Sequence, residues 1–321
     1  MTALGYHASH EQFAPSALLD HVRHAEAGGF DCAKSSDHFH PWSERQGQSG
    51  FAWSWLGAAM QATTMTFGMI SAPGYRYHPA ILAQAAATIC EMFPDRLWLA
   101  LGSGEALNEA ITGLAWPDKT ERNARLLECV QVIRSLLVGE TVTHRGRVEV
   151  IEARLYTRPT IPLPLYGAAL SAETAAWIGQ WADGLLTTGG DIDAVRLVID
   201  AFRANGGEGK PIHVQHALSW APTEAEAMAN AIDQWAPVAA GGNVNASLSR
   251  PADFERVGRL VDEQSIRRCV AVSADLGQHC QWIGDLMDLG VAAVHLHCVG
   301  RNQPAFIDAF ATKVLPALRK V

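Results

Sequence analysis

Arg96-Leu97-Trp98-Leu99-Ala100-Leu101-Gly102-Ser103-Gly104-Glu105 reads as an apolar β-strand that stops at a Gly-Ser-Gly turn. A turn of this kind opens dinucleotide-binding sheets, but there it follows the first strand and carries a third glycine. Here Leu107 stands where that glycine belongs, and the run is the fourth strand-like segment of the chain. The first, Leu4-Gly5-Tyr6-His7-Ala8, ends in no such turn. An open doubly wound sheet is therefore set aside in favour of a closed barrel.

Outward from this run, β-like segments alternate with helical patterns along the whole chain. Strands are expected at 4–7, 30–34, 65–71, 96–101, 163–167, 185–188, 212–219 and 292–297. Helices are expected over 16–28, 53–62, 79–93, 120–137, 172–181, 194–204, 224–235, 278–289 and 304–320. Period-2 runs separated by period-3.6 stripes require a parallel sheet. Eight β/α steps without a composition break predict one (β/α)8 TIM barrel domain over 1–321. Two insertion segments interrupt the rhythm. Residues 141–158 read as a β-hairpin turning near Arg145-Gly146, and the Gly/Asn/Ser-rich stretch 238–251 reads as a mobile loop.

The bulk numbers agree. The 321 residues exceed the usual single-domain length, but barrels do so routinely. Hydrophobic content of 48% with 18% charged residues excludes disorder. A net charge of −8, with Lys and Arg scattered, argues against a nucleic-acid partner. The six cysteines form no C-x-x-C pair or zinc-like spacing and read as reduced core residues of a cytoplasmic protein. Residues 1–7 have no basic-then-apolar leader pattern and no stretch reaches membrane-spanning length, so neither export nor a membrane partner is expected.

Catalytic groups of such barrels lie where strands end and loops begin. The second strand ends at Asp37, His38, His40 and Trp42, where an imidazole able to move protons has a carboxylate beside it. The third ends at Ile70 and Ser71. The fourth ends at Ser103, Gly104 and Glu105, followed by Asn108 and Glu109. A carboxyl at a partly buried mouth gains a raised pKa suited to acid catalysis, although Glu105 also suits a helix start. The fifth ends at Ala169, Leu170 and Ser171 before a helix, a turn suited to phosphate or simply to an N-cap. The sixth ends at Thr188.

The runs Glu11-Gln12-Phe13-Ala14-Pro15, Ser36-Asp37-His38-Phe39, Pro41-Trp42, Gly104-Glu105-Ala106-Leu107-Asn108-Glu109 and Trp235-Ala236-Pro237 resemble the deazaflavin-dependent branch of the luciferase-like oxidoreductases. Within it they are most similar to glucose-6-phosphate dehydrogenases that use coenzyme F420. The resemblance implies a barrel holding F420 or FMN at its mouth. It gives catalytic roles to His38, Glu105 and Trp42. Cofactor contacts would come from Asp37, Ile70, Ser71, Ser103, Gly104, Asn108, Ala169, Leu170 and Ser171, and no metal is implied. It also implies a cis peptide at Ile70-Ser71, and a homodimer.

The chain departs from that pattern where a sugar phosphate would sit. The relatives place a lysine just after the sixth strand, where this chain has Asp191 or its neighbours. They place a Lys-His pair in a loop that here reads Asn245-Ala246-Ser247-Leu248-Ser249-Arg250-Pro251. Only Arg268 or its neighbour Arg267 survives, leaving Thr188 and Arg268 as substrate-pocket candidates. Charge-assisted hydrogen bonds of roughly 1.5–3 kcal/mol each are missing, so a small non-phosphorylated organic substrate is expected. Leu170-Ser171 replaces a glycine pair, which keeps FMN in play. The competing readings are an oxygen-using FMN monooxygenase served by a flavin reductase, a metallohydrolase using the His38/His40 and His295/His297 pairs, and a non-catalytic flavin-binding protein.

Overall fold

The structure, a computed structural model, describes residues 1–239 and 241–319. Eleven strands are found among them: β1 (Ala3–Ala8), β2 (Cys32–Ser35), β3 (Thr66–Ser71), β4 (Leu97–Leu101), β5 (Val142–Arg145), β6 (Glu149–Ala153), β7 (Leu165–Ala168), β8 (Gly184–Gly189), β9 (Ile212–Ser219), β10 (Ala271–Val272) and β11 (Ala293–Cys298). Eight of them pair in parallel in the order β9-β11-β1-β2-β3-β4-β7-β8, and β8 pairs back to β9 to close the ring. The fold is the expected (β/α)8 TIM barrel.

Each helix turns one stripe to the barrel. Pro15–Ala27 starts with proline at its first position and buries Leu18, Val22 and Ala25, spaced for one face. Lys119–Leu137 is capped by Asp118, whose carboxylate accepts from the Glu121 amide at 2.9 Å, and buries Leu126, Val130, Ile133 and Leu136. Outward strand residues such as Leu4, Phe67, Leu99, Val214 and Leu296 complete this layer.

The inside of the barrel is different. Alternation puts His7, Lys34, Trp98, Tyr166, His213, Gln215, His295 and His297 on the inward face, where branched apolar residues dominate most such barrels. Trp98 and Tyr166 stack at 5.1 Å and 24°, with His213 edge-on to both. Gly68 is required there, because a Cβ on it would lie 1.9 Å from the Trp98 ring.

Three expectations need correction or refinement. The hairpin insertion is present as β5 and β6, pinned to the long helix through Glu128, which receives His144 Nε2 and Arg147 Nη1 at 2.9 Å each. The stretch read as a mobile loop contains a helix, Gly242–Ser247, followed by helices Pro251–Gly258 and Glu263–Cys269 and the short β10, which pairs with β9. Its glycines and asparagines disfavour helix locally. Tertiary anchors override that preference: Trp116 Nε1 donates to the Ala246 carbonyl at 2.9 Å and Asn245 Nδ2 to that of Val238 at 2.7 Å. Position 240 in that stretch and Lys320, the expected end of the last helix, lie outside the described residues.

The third concerns Ile70-Ser71. No cis peptide occurs among the described residues. Both residues continue the β3 ladder, Ile70 opposite Ala100 and Ser71 opposite Leu101, and that extended pairing keeps the bond trans. No helix among the described residues is long and apolar enough to cross a membrane.

Candidate active site

The parallel strands bring their carboxyl ends to one mouth, and the second-strand turn is its most heavily constrained part. Ser71 Oγ donates to Asp37 Oδ2 at 2.5 Å, while Tyr77 Oη and Arg76 Nη1 donate to Oδ1 at 3.0 and 3.3 Å. Arg76 also binds the Asp37 carbonyl through Nη2 at 2.9 Å and pairs with Glu109 at 3.6 Å. Both oxygens of Asp37 are thus engaged by the protein itself, which ties the turn to Ser71, Arg76 and Tyr77. Arg76 and Tyr77, which the sequence did not single out, are its partners.

Asn108 fixes the same turn from the fourth strand end. Its Oδ1 accepts from the Phe39 amide at 2.9 Å and the His40 amide at 3.3 Å, which orients its Nδ2 toward His38 Nδ1 at 3.2 Å. The His40 carbonyl lies 3.3 Å from that same Nδ1. On the other edge of the ring, His38 Nε2 is 3.2 Å from Glu11 Oε1. Glu11 Oε2 accepts from Ser36 Oγ at 2.7 Å and Ser9 Oγ at 2.9 Å. His38 thus has Glu11 at Nε2, and the Asn108 amide and the His40 carbonyl both at Nδ1.

Glu11 is almost fully buried. Burial opposes its ionisation, but the field of His38 and the hydroxyls of Ser36 and Ser9 prevail and hold its carboxyl down at about 2. Glu105, half-buried, goes the other way. Burial pushes its carboxyl up, the field of His38 counteracts this and that of Glu11 adds to it. Two carboxyls near one imidazole are thereby driven apart, the pattern expected of a base partner and an acid.

Trp42 stands 5.2 Å from the His38 ring and edge-on to Phe254 of the helix Pro251–Gly258, and Val238 and Leu248 of the stretch read as a loop pack on the same cluster. Gly104 has φ +81°, which favours glycine, and a Cβ there would be crowded by Glu109 Cγ at 3.0 Å and Trp116 at 3.2 Å. Ile70, Ala100 and Leu186 cover the Trp98–Tyr166 stack from the inward face and give an apolar floor. After the fifth barrel strand, Ala169 is buried, Leu170 is exposed and Ser171 caps the helix Ala172–Gly179, accepting from the Thr174 amide at 3.3 Å. Lys119 Nζ reaches Thr174 Oγ1 at 2.6 Å beside it.

The substrate-pocket candidates separate. Thr188 is on the inward face of β8, two residues past Leu186, and is exposed at the mouth. Arg268 is exposed, donates to Ser265 Oγ and lines a cleft of about 500 Å³ with Arg267, Asp191 and His216, the last on the outward face of β9. The two H-x-H pairs also lie apart: His40 binds the Leu107 carbonyl at the mouth, whereas His295 contacts His213 on the barrel floor. The described residues hold no group of three or more His, Cys, Asp or Glu placed to bind a metal ion.

Glu11 was missed as a site residue. It obeys the same strand-end rule as the others but follows the first strand by three positions.

A family profile described as luciferase-like monooxygenase matches residues 1–293. The F420-dependent glucose-6-phosphate dehydrogenase of Intrasporangium calvum is 36% identical, over 99% of both chains. That of Mycobacterium leprae is 33% identical over 99% of this chain and 98% of its own. An F420-dependent secondary alcohol dehydrogenase, solved in complex with an F420-acetone adduct, matches with a TM-score of 0.91 and 29% identity, covering 99% of this chain and 100% of that one. The coenzyme F420-dependent tetrahydromethanopterin reductase of Methanopyrus kandleri shares the fold, with a TM-score of 0.79 at 20% identity over 99% of each chain.

Proposed function

The chain belongs to the luciferase-like monooxygenase family, and we propose that it is an F420-dependent oxidoreductase acting on a small, non-phosphorylated alcohol or its carbonyl partner. The observation that carries this reading is the His38–Glu11 pair, 3.2 Å apart, at the mouth of a barrel and under the field of a second carboxyl, Glu105. The full-length similarity to F420-dependent dehydrogenases, one of them a secondary alcohol dehydrogenase, supports it.

When bound, the deazaflavin supplies a ring carbon that accepts or returns a hydride. The protein handles the proton. His38 takes it from the substrate hydroxyl, and Glu11 stabilises the imidazolium. Glu105, its carboxyl kept protonated more readily by burial, serves as the acid on the cofactor side. Trp42 excludes water from His38. Ile70, Ser71, Ser103, Gly104 and Ala169 would border the ring, and Leu170 and Ser171, next to Lys119, would hold its phosphate. Asp37 and Asn108 act on the cofactor through the turn they hold. Thr188 faces the substrate.

A phosphorylated sugar fits less well. Arg76, a cation near the mouth, is committed to Asp37 and Glu109, and Arg268 lines the outer cleft. The reading carries a cytoplasmic homodimer, and sedimentation equilibrium tests the assembly. Titration with F420 and with FMN, followed by fluorescence and an oxygen electrode, separates the two cofactor readings. Tight F420 binding without oxygen uptake is expected. Incorporation of oxygen into the substrate with reduced FMN from a flavin reductase, beyond the flavin's own autoxidation, would replace this reading with the monooxygenase.

A further inference from the structure

Gln234 lies buried in the last turn of the helix Glu224–Trp235. The Trp235-Ala236-Pro237 run ends that helix, because Pro237 has no amide to continue it. The next amide, that of Val238, donates to the Trp235 carbonyl at 3.0 Å, which leaves the Gln234 carbonyl outside the helix ladder. Gln46 Nε2 donates to that carbonyl at 3.1 Å, and Gln46 Oε1 accepts from the Trp42 amide at 2.9 Å. The turn carrying Trp42 is thereby tied to the helix end.

The side chain of Gln234 belongs to a one-way chain of hydrogen bonds. The Val299 carbonyl can only accept, so Gln12 turns its amide nitrogen to it at 2.7 Å, and the same nitrogen donates to Gln234 Oε1 at 3.1 Å. Gln12 Oε1 is then an acceptor, and His297 Nε2, at 3.3 Å, is the donor. His297 Nδ1 in turn accepts from Gln215 Nε2 at 3.2 Å. At the other end Gln234 Nε2 donates to Asp233 Oδ2 at 2.7 Å. Each member has the one role its neighbours leave it, which makes the chain rigid. Gln12 directly follows Glu11, so the chain holds the segment whose carboxylate faces His38.

We propose that Gln234 is a positioning residue for the active site: its side chain, through Gln12, holds the segment carrying Glu11, and its backbone carbonyl, through Gln46, holds the turn carrying Trp42. The two groups beside His38, the carboxylate at 3.2 Å and the indole ring at 5.2 Å, thus take their spacing from one helix end. The Gln48 amide, donating to the Glu11 carbonyl at 3.1 Å, adds a direct tie between the same two segments. Gln234 acts through its partners and moves no proton itself.

The inference rests on His38 being the base, and its test keeps the two apart. Q234M removes the side-chain hydrogen bonds at similar volume, with Q234A as a second variant, and Gln12 keeps the Val299 carbonyl as an acceptor. Amide hydrogen exchange in the cofactor-free protein should rise about tenfold over residues 9–12 and stay unchanged in β3 and β4. With F420 and a secondary alcohol, kcat should fall about fivefold while KM changes little, because misplacement costs the transition state more than the bound substrate. Q12M breaks the same arm, so Q12M/Q234M should be no slower than Q12M alone. Q46M breaks the other arm and should raise exchange at the Trp42 amide. A glutamine that only supports packing would lower melting and raise exchange throughout, with kcat per folded molecule unchanged, which overturns the proposal. Additive losses in Q12M/Q234M overturn it as well. If H38A keeps full turnover while exchange over 9–12 still rises in Q234M, the catalytic reading of His38 fails and the hold on the Glu11 segment stands.

Discussion

His38 Nε2 and Glu11 Oε1 face each other at 3.2 Å, and the other oxygen of Glu11 is held by two serine hydroxyls. The pair joins the second strand end to the segment after the first, so His38 is supported from a neighbouring strand as well as by its own turn. Replacing His38 with alanine should lower kcat/KM by about 10²–10⁴-fold, the usual contribution of a general base. E11Q should cost less, about tenfold, and should shift the acid limb of the pH profile to lower pH because the imidazolium loses its anion. An E11Q profile identical in position to that of the parent would contradict the pairing.

Asn108 tests whether the turn itself matters. N108A leaves the Phe39 and His40 amides without their acceptor and the His38 ring without one of its anchors. A stability loss of about 1–3 kcal/mol in urea unfolding is expected, with kcat falling more than KM rises. Unchanged kcat would mean that the ring keeps its place without Asn108.

The buried Arg76–Asp37–Glu109 group should be the most fragile ionic cluster. The side chain of Arg76 is 9% exposed and both carboxylates are 1% exposed. R76M strands two buried anions and should destabilise by about 3–5 kcal/mol. Adding D37N should recover part of that loss. A surface-like loss below about 1 kcal/mol would place these groups in contact with solvent.

Acid should unfold the protein early. Burial draws His10 and His213 down to about 4, and His216 and His297 down to about 3. In the unfolded chain these groups titrate near 6.5, so below that pH the unfolded state binds more protons and stability falls as pH drops from 6.5 toward 4. Each contributes at most about 1.4 kcal/mol per pH unit. Glu11 adds loss only from about 4.5 down to about 2, because its folded form is the harder to protonate. Tm followed by circular dichroism should decline steeply between pH 6.5 and 4.5, and H213F should flatten the slope. A Tm flat over that interval would refute the buried, neutral imidazoles.

Much of this was readable from the residues because strand ends and site coincide in a closed parallel barrel. Asp37, His38, Glu105, Asn108 and Trp42 all lie on segments whose periodicity marks where the strand stops. What was hidden depended on partners distant in sequence. Asp37 reads as a ligand until Ser71, Arg76 and Tyr77 are seen to occupy it. The stretch 238–251 reads as a loop until Trp116, more than a hundred residues earlier, is seen to clasp Ala246. Ser171 could equally be a phosphate contact or a cap, and the cap is the contact present. Arg268 looked like a surviving phosphate cation, yet the residues before and after it place it in an outer cleft.

The central claim is hydride transfer between a deazaflavin and an uncharged substrate, and it is tested by mixing the protein with F420 and either a short secondary alcohol or glucose 6-phosphate under anaerobic conditions. Loss of the visible absorption band of F420 with the alcohol, abolished in H38A and absent with the sugar phosphate, is the predicted result. Reduction by glucose 6-phosphate with none by any alcohol would contradict the account.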